Sequence, residues 1–287
     1  MTYENFGLYR SLVTAKSTEA DIGLVAQDGG VVTTLLCHAL KIGEIDGAVL
    51  TQRLDSSWTP APYVAMTREE ILGGAGSVYA LSPSVFQLKD AVREYALENV
   101  AYVGLPCQVV AVRKMQLYPF GGRFVGSRIR LVIGIFCSEN FPLEGMRNIV
   151  EGYGNVPLEG TDRIHLSGGK VMIEGESTAE VPIKKAARYA QDGDHVCPDL
   201  TAEYADISVG STGSEPGWNT VLVRTGRGEK LFNSAVAEGL IKTGDMEATK
   251  PGLSTLQKLA KTKKMTAQGN IKKRDQLGLF VTKNMYY

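Results

Sequence analysis

The 287-residue sequence predicts an α/β protein in which a mixed, partly parallel sheet with flanking helices is followed by a smaller α+β C-terminal lobe and a terminal basic helix. Three observations lead there. "NVAYVGLPCQVVAVRKM" and "IRLVIGIFCSENFPLEGMRNIVEGYG" each read as buried strand, break, helix, and two such units in succession require parallel strands joined by crossover helices. From about residue 161 the texture changes to a hairpin and short strands. From Lys250 to Lys283 nine cations (Lys250, Lys258, Lys261, Lys263, Lys264, Lys272, Lys273, Arg274, Lys283) face a lone Asp275.

In chain order, "AQDGG" is a turn that opens a helix through Val32, Leu35, Leu36, Ala39 and Leu40, stopped at Gly43. "GAVLTQ" reads as a short buried strand. Thr67 and Glu70 stand at capping-box spacing, and "SPSVFQLKDAVREYALE" continues as a periodic helix. The two strand–helix units follow, breaking at Pro106 and Cys107 and, in the second, at Cys137. "RIHLSGGKVMIEGES" reads as a hairpin around Ser167 to Lys170, and "YADISVGS" and "NTVLVRT" as strands. "GEKLFNSAVAEGL" and "LSTLQKLAKTKKMTAQGNIKKRDQLG" close as helices. The expected division is an α/β lobe over 1–158, an α+β lobe over 159–248, and a basic helix and tail over 249–287.

Composition is ordinary for a globular chain, and no run approaches the roughly 18 to 20 apolar residues of a membrane span. Basic and acidic residues balance at 31 each, so net charge points to no nucleic-acid or membrane partner. The stretch "MTYENFGLYRSLVTAKSTEADIG" lacks the basic and apolar regions of a secretory signal, and a cytoplasmic protein is expected. Its four cysteines are then expected as reduced thiols or metal ligands.

Cys37 lies inside an apolar helix and reads as a small buried hydrophobe. Cys107 and Cys137 fall at carboxyl ends of strands, where open α/β sheets place ligands, and Cys197 lies in the polar loop "DGDHVCPD". Three such cysteines suit a metal or cluster site. Zinc would find a fourth ligand in His195, whereas an iron–sulfur cluster takes four thiolates, and Asp194 stands where the first cysteine of a C-x-x-C would be. Asp194 could equally make a turn with its own backbone. A nucleophilic Cys107 would need a base, and His38, His165 and His195 have no context that pairs them with it. "AQDGG", "GGAGSVYALSP" and "GSTGSEPGWNT" are glycine-rich turns fit for a phosphate or ring carbonyl, the last with Trp218 able to lie against a flat ring.

Taken in order, "AQDGG", "GSVYALSP", "GLPCQ", "FCSENFP", "CPDLTAEYADISVGSTGS" and "GW" closely resemble the beta-subunit family of coenzyme F420 hydrogenases and dehydrogenases, from about Lys16 to Leu279. Within it the short chain with a single basic helix looks most like the hydrogenase branch. The resemblance implies an iron–sulfur flavoprotein of methanogenesis with a 4Fe-4S cluster and FAD, passing a hydride to coenzyme F420 as substrate. It implies as partners an iron–sulfur small subunit and a nickel–iron large subunit in a higher-order hetero-oligomer. Cys107, Cys137 and Cys197 match family cluster cysteines, while Asp194 replaces the first cysteine of the family's "GCxxC". Asp194 is the expected fourth ligand, with His195, Cys37 or solvent as alternatives. The flavin segments correspond to Gln27, Asp28, Gly29, Gly30 and Thr33, with Gly76, Ser77, Tyr79 and Ser82 opposite. No catalytic acid–base residue is expected, and Arg113, Lys114, Arg123, Lys184 or Lys185 could meet the acidic tail of coenzyme F420. The rival readings are a formate- or quinone-linked dehydrogenase subunit of the same family, a zinc-stabilised binding module and a cysteine hydrolase.

Overall fold

The computed structural model describes residues 2–3, 5–118 and 122–280; Lys283 and the rest of the expected tail from 281 lie outside the described residues. Two short strands, β1 (Thr2–Tyr3) and β2 (Gly7–Leu8), precede β3 (Ser11–Ser17), α1 (Ala20–Val25), α2 (Val31–Lys41), β4 (Gly47–Arg53), β5 (Pro60–Ala65), α3 (Arg68–Gly73) and α4 (Ser84–Arg93). Strand β6 (Val100–Gly104) leads into α5 (Pro106–Leu117) and α6 (Arg123–Gly126). Strand β7 (Ile129–Ile135) leads into α7 (Leu143–Arg147), which continues as a π-helical turn over Asn148–Tyr153. Then come β8 (Thr161–Ser167), β9 (Lys170–Gly175), β10 (Ala179–Pro182), α8 (Ile183–Ala186) and a 3-10 turn at Asp194–Val196. The chain finishes with β11 (Ile207–Gly210), β12 (Asn219–Val223), α9 (Gly226–Ala237), β13 (Ile241–Gly244) and α10 (Gly252–Gln276).

Eight strands form the main sheet in the order β13-β3-β12-β11-β7-β6-β4-β5. Its centre, β4, β6, β7 and β11, is parallel, and antiparallel strands complete both sides. Successive residues of each central strand serve opposite faces, as the pleat requires. Ala48, Leu50, Ala101, Leu131 and Ile133 pack under α2 and α9 with Leu35, Leu36, Leu231 and Phe232. Val49, Val100, Tyr102 and Val132 pack under α4 and α5 with Leu88, Val92, Val109 and Val112. Helices on both faces are what a parallel sheet needs to keep water off its strands. The expected mixed α/β fold is thus borne out.

Local signals act as read. Thr67 Oγ1 accepts from the Glu70 amide at 3.2 Å and Glu70 Oε2 from the Thr67 amide at 3.0 Å, closing the capping box of α3. Gly30 caps α2 in the left-handed region at φ 71°, and Gly43 follows its end at φ 71°.

The strands of the expected 159–248 lobe divide between two sheets. Strands β8, β9 and β10 do form a separate sheet, with Ile164, Val171, Ile173 and Val181 packed on Phe141, Met146, Ile149 and Val150. Strands β11, β12 and β13, expected in the same lobe, instead belong to the main sheet. Buried strands such as "ISVG" and "NTVLV" read alike whichever sheet receives them, because periodicity reports burial and not partners. The terminal helix is present, its Leu256 and Ala260 packed with Phe6, Leu200, Leu222 and Met246.

Candidate functional site

Gly104 of β6 pairs with Gly134 of β7, so Cys107 and Cys137, three residues beyond each, leave neighbouring strands at the same height. Cys107 lies in the first turn of α5, begun by Pro106, and the Leu105 amide donates to Gln108 Oε1 at 2.9 Å. Gln108 Nε2 reaches the Ser82 carbonyl at 2.9 Å. Cys137 is held from below by its amide, which donates to the Leu200 carbonyl at 2.8 Å. The 3-10 turn at Asp194 then brings in Cys197, whose amide donates to the Asp194 carbonyl at 3.2 Å. Asp194 Oδ2 accepts from the Asn140 amide at 2.7 Å, tying this loop to the "CSEN" loop.

Cys137 and Cys197 are buried and Cys107 is exposed, and the charges of Cys107, Cys197 and Asp194 all reach Cys137. Loss of hydration, then the charges of Cys197 and Asp194, push the Cys107 thiol up to about 11. The Cys137 thiol is pushed higher still by burial, eased by Lys263 and reinforced by Asp194, Cys107 and Cys197. Burial also raises Asp194, against the Asn140 amide, Lys263 and His195. Burial and mutual charge thus oppose ionisation of Cys107 and Cys137, and a cationic iron centre among the thiols would remove that penalty. Among the described residues no three His, Cys, Asp or Glu side chains are arranged to hold one metal ion. The donor set suits a cluster better, since its several irons each take one ligand. Cys37 belongs elsewhere: its neighbours are Arg68, Glu19 and Asp21, in a cavity of about 260 Å³.

Sequence reasoning missed Lys263. In the sequence it is one cation among nine in the basic helix and tail, but its ammonium donates to the Cys137 carbonyl at 2.5 Å and the Ser138 carbonyl at 2.9 Å. Lys264 pairs with Glu203 at 2.8 Å, and Asn270 Nδ2 donates to the His195 carbonyl at 2.8 Å. Helix α10 is thus a clamp across the cysteine loops. Glu139 was also passed over; its buried Oε2 has no partner, and burial, then Asp194, raises its carboxyl.

The "AQDGG" turn lies where the main sheet meets β8. Gly29 packs against β3 and β12, where an added Cβ would stand 2.7 Å from Asn219 Oδ1 and 2.8 Å from the Ala15 carbonyl. Asn219 Oδ1 also accepts from the Val31 amide at 3.3 Å, so one helix-start donor is already engaged and Thr33 sits buried just beyond. Gln27 and Asp28 face β8: Arg163 Nη2 donates to the Gln27 carbonyl at 2.5 Å, and Gln27 Nε2 to the Ile164 carbonyl at 3.2 Å. Arg163 Nε and His165 Nδ1 are buried without a partner, the mark of a place that a bound group would complete. Burial raises the Asp28 carboxyl, with Arg163 and His165 opposing.

Tyr79 stands between the Asp28 turn and the cysteine loops. Burial, then Asp28, pushes its phenol up to about 12, with Arg163 opposing and Cys137 adding. Its carbonyl accepts from Asn140 Nδ2 at 3.1 Å. Ser82 is buried, its Oγ taking the Thr51 hydroxyl at 3.0 Å, while Gly76 is exposed at φ 100° with Ser77 beside it. Trp218 has Lys16 Nζ 4.9 Å from its ring centroid and lines a separate cavity of about 110 Å³. Arg113 is committed elsewhere, to Asp206 at 3.1 Å and the Tyr204 carbonyl at 2.8 Å.

Comparison with known proteins bears directly on these motifs. The family model for the N-terminal part of the coenzyme F420 hydrogenase/dehydrogenase beta subunit matches residues 12–89, and that for its C terminus matches residues 97–249. The chain belongs to this family. A coenzyme F420 hydrogenase subunit beta from Methanothermobacter thermautotrophicus is 41% identical over 95% of this chain and 98% of its own. One from Methanosarcina barkeri is 42% identical over 95% and 94%. A chain of the F420-reducing NiFe hydrogenase complex from Methanosarcina barkeri superposes with a TM-score of 0.94 at 40% identity, covering 96% of each chain. The expectation of an F420-reducing hydrogenase beta subunit, an oxidoreductase, is borne out by the family, the relatives and the fold together. Among the described residues no helix is long and apolar enough to cross a membrane.

Proposed function

We propose that the chain is the flavin- and cluster-bearing subunit of a cytoplasmic F420-reducing hydrogenase, receiving electrons from an iron–sulfur small subunit fed by a nickel–iron large subunit. The observation that carries this reading is the convergence of Cys107, Cys137, Cys197 and Asp194 at the carboxyl ends of the parallel strands, with Tyr79 reaching from there to the Asp28 turn. When bound, the 4Fe-4S cluster supplies one-electron transfer, and FAD turns two such electrons into a hydride for coenzyme F420.

The chain's part is to hold and position. Cys107, Cys137 and Cys197 would ligate iron, with Asp194 as the fourth ligand through the carboxylate oxygen that Asn140 does not occupy. Lys263 fixes the Cys137 loop and places a positive charge beside anionic ligands. Gln27, Asp28, Gly29, Gly30 and Thr33 on one side and Gly76, Ser77, Tyr79 and Ser82 on the other would line the flavin. Hydride transfer needs two rings held in contact, which asks for placement more than for a side-chain base.

The absorption spectrum of the anaerobically purified complex, with and without dithionite, tests the reading. Flavin bands over a broad sulfur-to-iron shoulder, both bleaching on reduction, are expected. A colourless zinc protein without flavin would replace the reading with the binding module. Asp194→Ala should change the cluster's spectrum or potential, and an unchanged cluster would remove Asp194 from the ligand set.

A further inference from the structure

Strand β8 is the edge of its three-stranded sheet and carries "RIH" against the Asp28 turn. Ile164 points into the small lobe's core, so Arg163 and His165, two residues apart, share the opposite face. Their pairing is unfinished. Of the guanidinium's five N–H groups, one meets the Gln27 carbonyl at 2.5 Å, while Asp28 and Glu174 each stand at 3.8 Å, outside hydrogen-bond reach. His165 Nδ1 is 4.0 Å from Glu174 Oε2. Both Arg163 Nε and His165 Nδ1 are buried and unpartnered. The Arg163 Nε–H is a buried donor left open, which costs stability, and the neighbouring His165 Nδ1 is a second donor in one tautomer; a fold that keeps both open is completed by a polar group from outside the chain.

We infer that Arg163 and His165 hold the N1–C2=O edge of a flavin-type ring and stabilise the negative charge that this edge carries when the ring is reduced. The inference rests on the flavin and coenzyme F420 reading above. Hydride transfer breaks the N5–H bond of the reduced flavin and forms a C–H bond at C5 of the deazaflavin, the flavin being oxidised and the deazaflavin reduced by the same electron pair. The displaced charge spreads over N1–C2=O of the receiving ring until a proton from water is taken up at N1. The giving flavin carries the same charge on the same edge before transfer. A guanidinium and an imidazole N–H aimed at that edge favour whichever ring they touch in its reduced form. Asp28 opposes them least when its carboxyl holds a proton, the direction in which burial pushes it.

Arg163→Gln and His165→Gln in the whole hydrogenase complex test this, with flavin content, flavin midpoint potential, and kcat and KM for coenzyme F420 as readouts. If the ring is the flavin, its potential falls in both variants while flavin content is retained. If the ring is the deazaflavin, the flavin potential stays and kcat for coenzyme F420 falls about tenfold or more, with Arg163→Lys restoring part of it. Either result supports the pair's role and tells which ring it serves. Unchanged potential together with unchanged coenzyme F420 kinetics overturns the inference and leaves the cofactor reading intact. Absence of flavin from the wild-type complex overturns both. If Arg163→Gln fails to fold, His165→Gln decides, since its Nδ1 has no partner to lose.

Discussion

Two arginines divide the molecule. Arg224, behind the "CPDLTAEYAD" loop, is 9% exposed and donates to the Phe6, Leu8 and Thr201 carbonyls and to the Thr201 and Ser208 hydroxyls at 2.6 to 3.2 Å. Asp199 beside it accepts from the Thr201 and Glu203 amides, both at 2.9 Å. Arg163 makes one hydrogen bond among the described residues and leaves Nε open. Saturated polar networks rigidify a fold, whereas unsaturated ones wait for a ligand. The loop carrying Cys197 is therefore backed by scaffold, and the Asp28 turn faces a gap in the bonding.

Variants can break or sharpen this contrast. The largest effect is expected from Arg224→Met, which orphans its acceptors and takes from buried Asp199 the stronger of the two cations acting on it, leaving Lys263, at about 3–5 kcal/mol in urea unfolding. A loss comparable to that of Arg163→Met would erase the contrast. Gly29→Ala should cost about 2 kcal/mol, because its Cβ would meet the Ala15 carbonyl and the Asn219 amide, backbone atoms that cannot step aside. Lys263→Met should cost about 1 kcal/mol and speed amide exchange in residues 137–140, with β8 unaffected.

The smallest effect concerns pH. The folded Asp28 carboxyl titrates above its ordinary 3.8, so the folded state binds the proton more tightly than the unfolded one. Its contribution to stability is whole below 3.8 and is lost as pH rises through the raised value. Against Asp28→Asn, the wild type should lose stability over that interval, and parallel stability–pH curves would refute it.

Much of this was legible in the sequence, for identifiable reasons. The strand–break–helix units, the hairpin and the capping box are local patterns, and Cys107, Cys137 and Cys197 announced themselves by lying at strand ends and in a polar loop. Strand β3 was not legible, because "SLVTAKS" is half-buried with no clean alternation. Strand β5, "PAPYVA", hides behind two prolines that an edge strand tolerates. Lys263 could not be told from the other cations of the helix, since a carbonyl partner more than a hundred positions away leaves no trace in spacing. Arg163 and His165 did leave one: two nitrogen-bearing side chains alternating around a buried isoleucine on a hairpin strand, which only the facing turn makes meaningful.

The strand order has a consequence for the timing of synthesis. Strand β3 sits between β12 and β13, partners that leave the ribosome roughly two hundred residues later, a separation that slows folding through loop-closure cost. Until then its edges are open to pairing with other chains. Helix α10, which secures the cysteine loops through Lys263, emerges later still. The nascent chain can gather its cysteine loops before it can lock them, and a truncation before residue 252, which strips Leu256 and Ala260 from Phe6, Leu200, Leu222 and Met246, should yield a protein that aggregates.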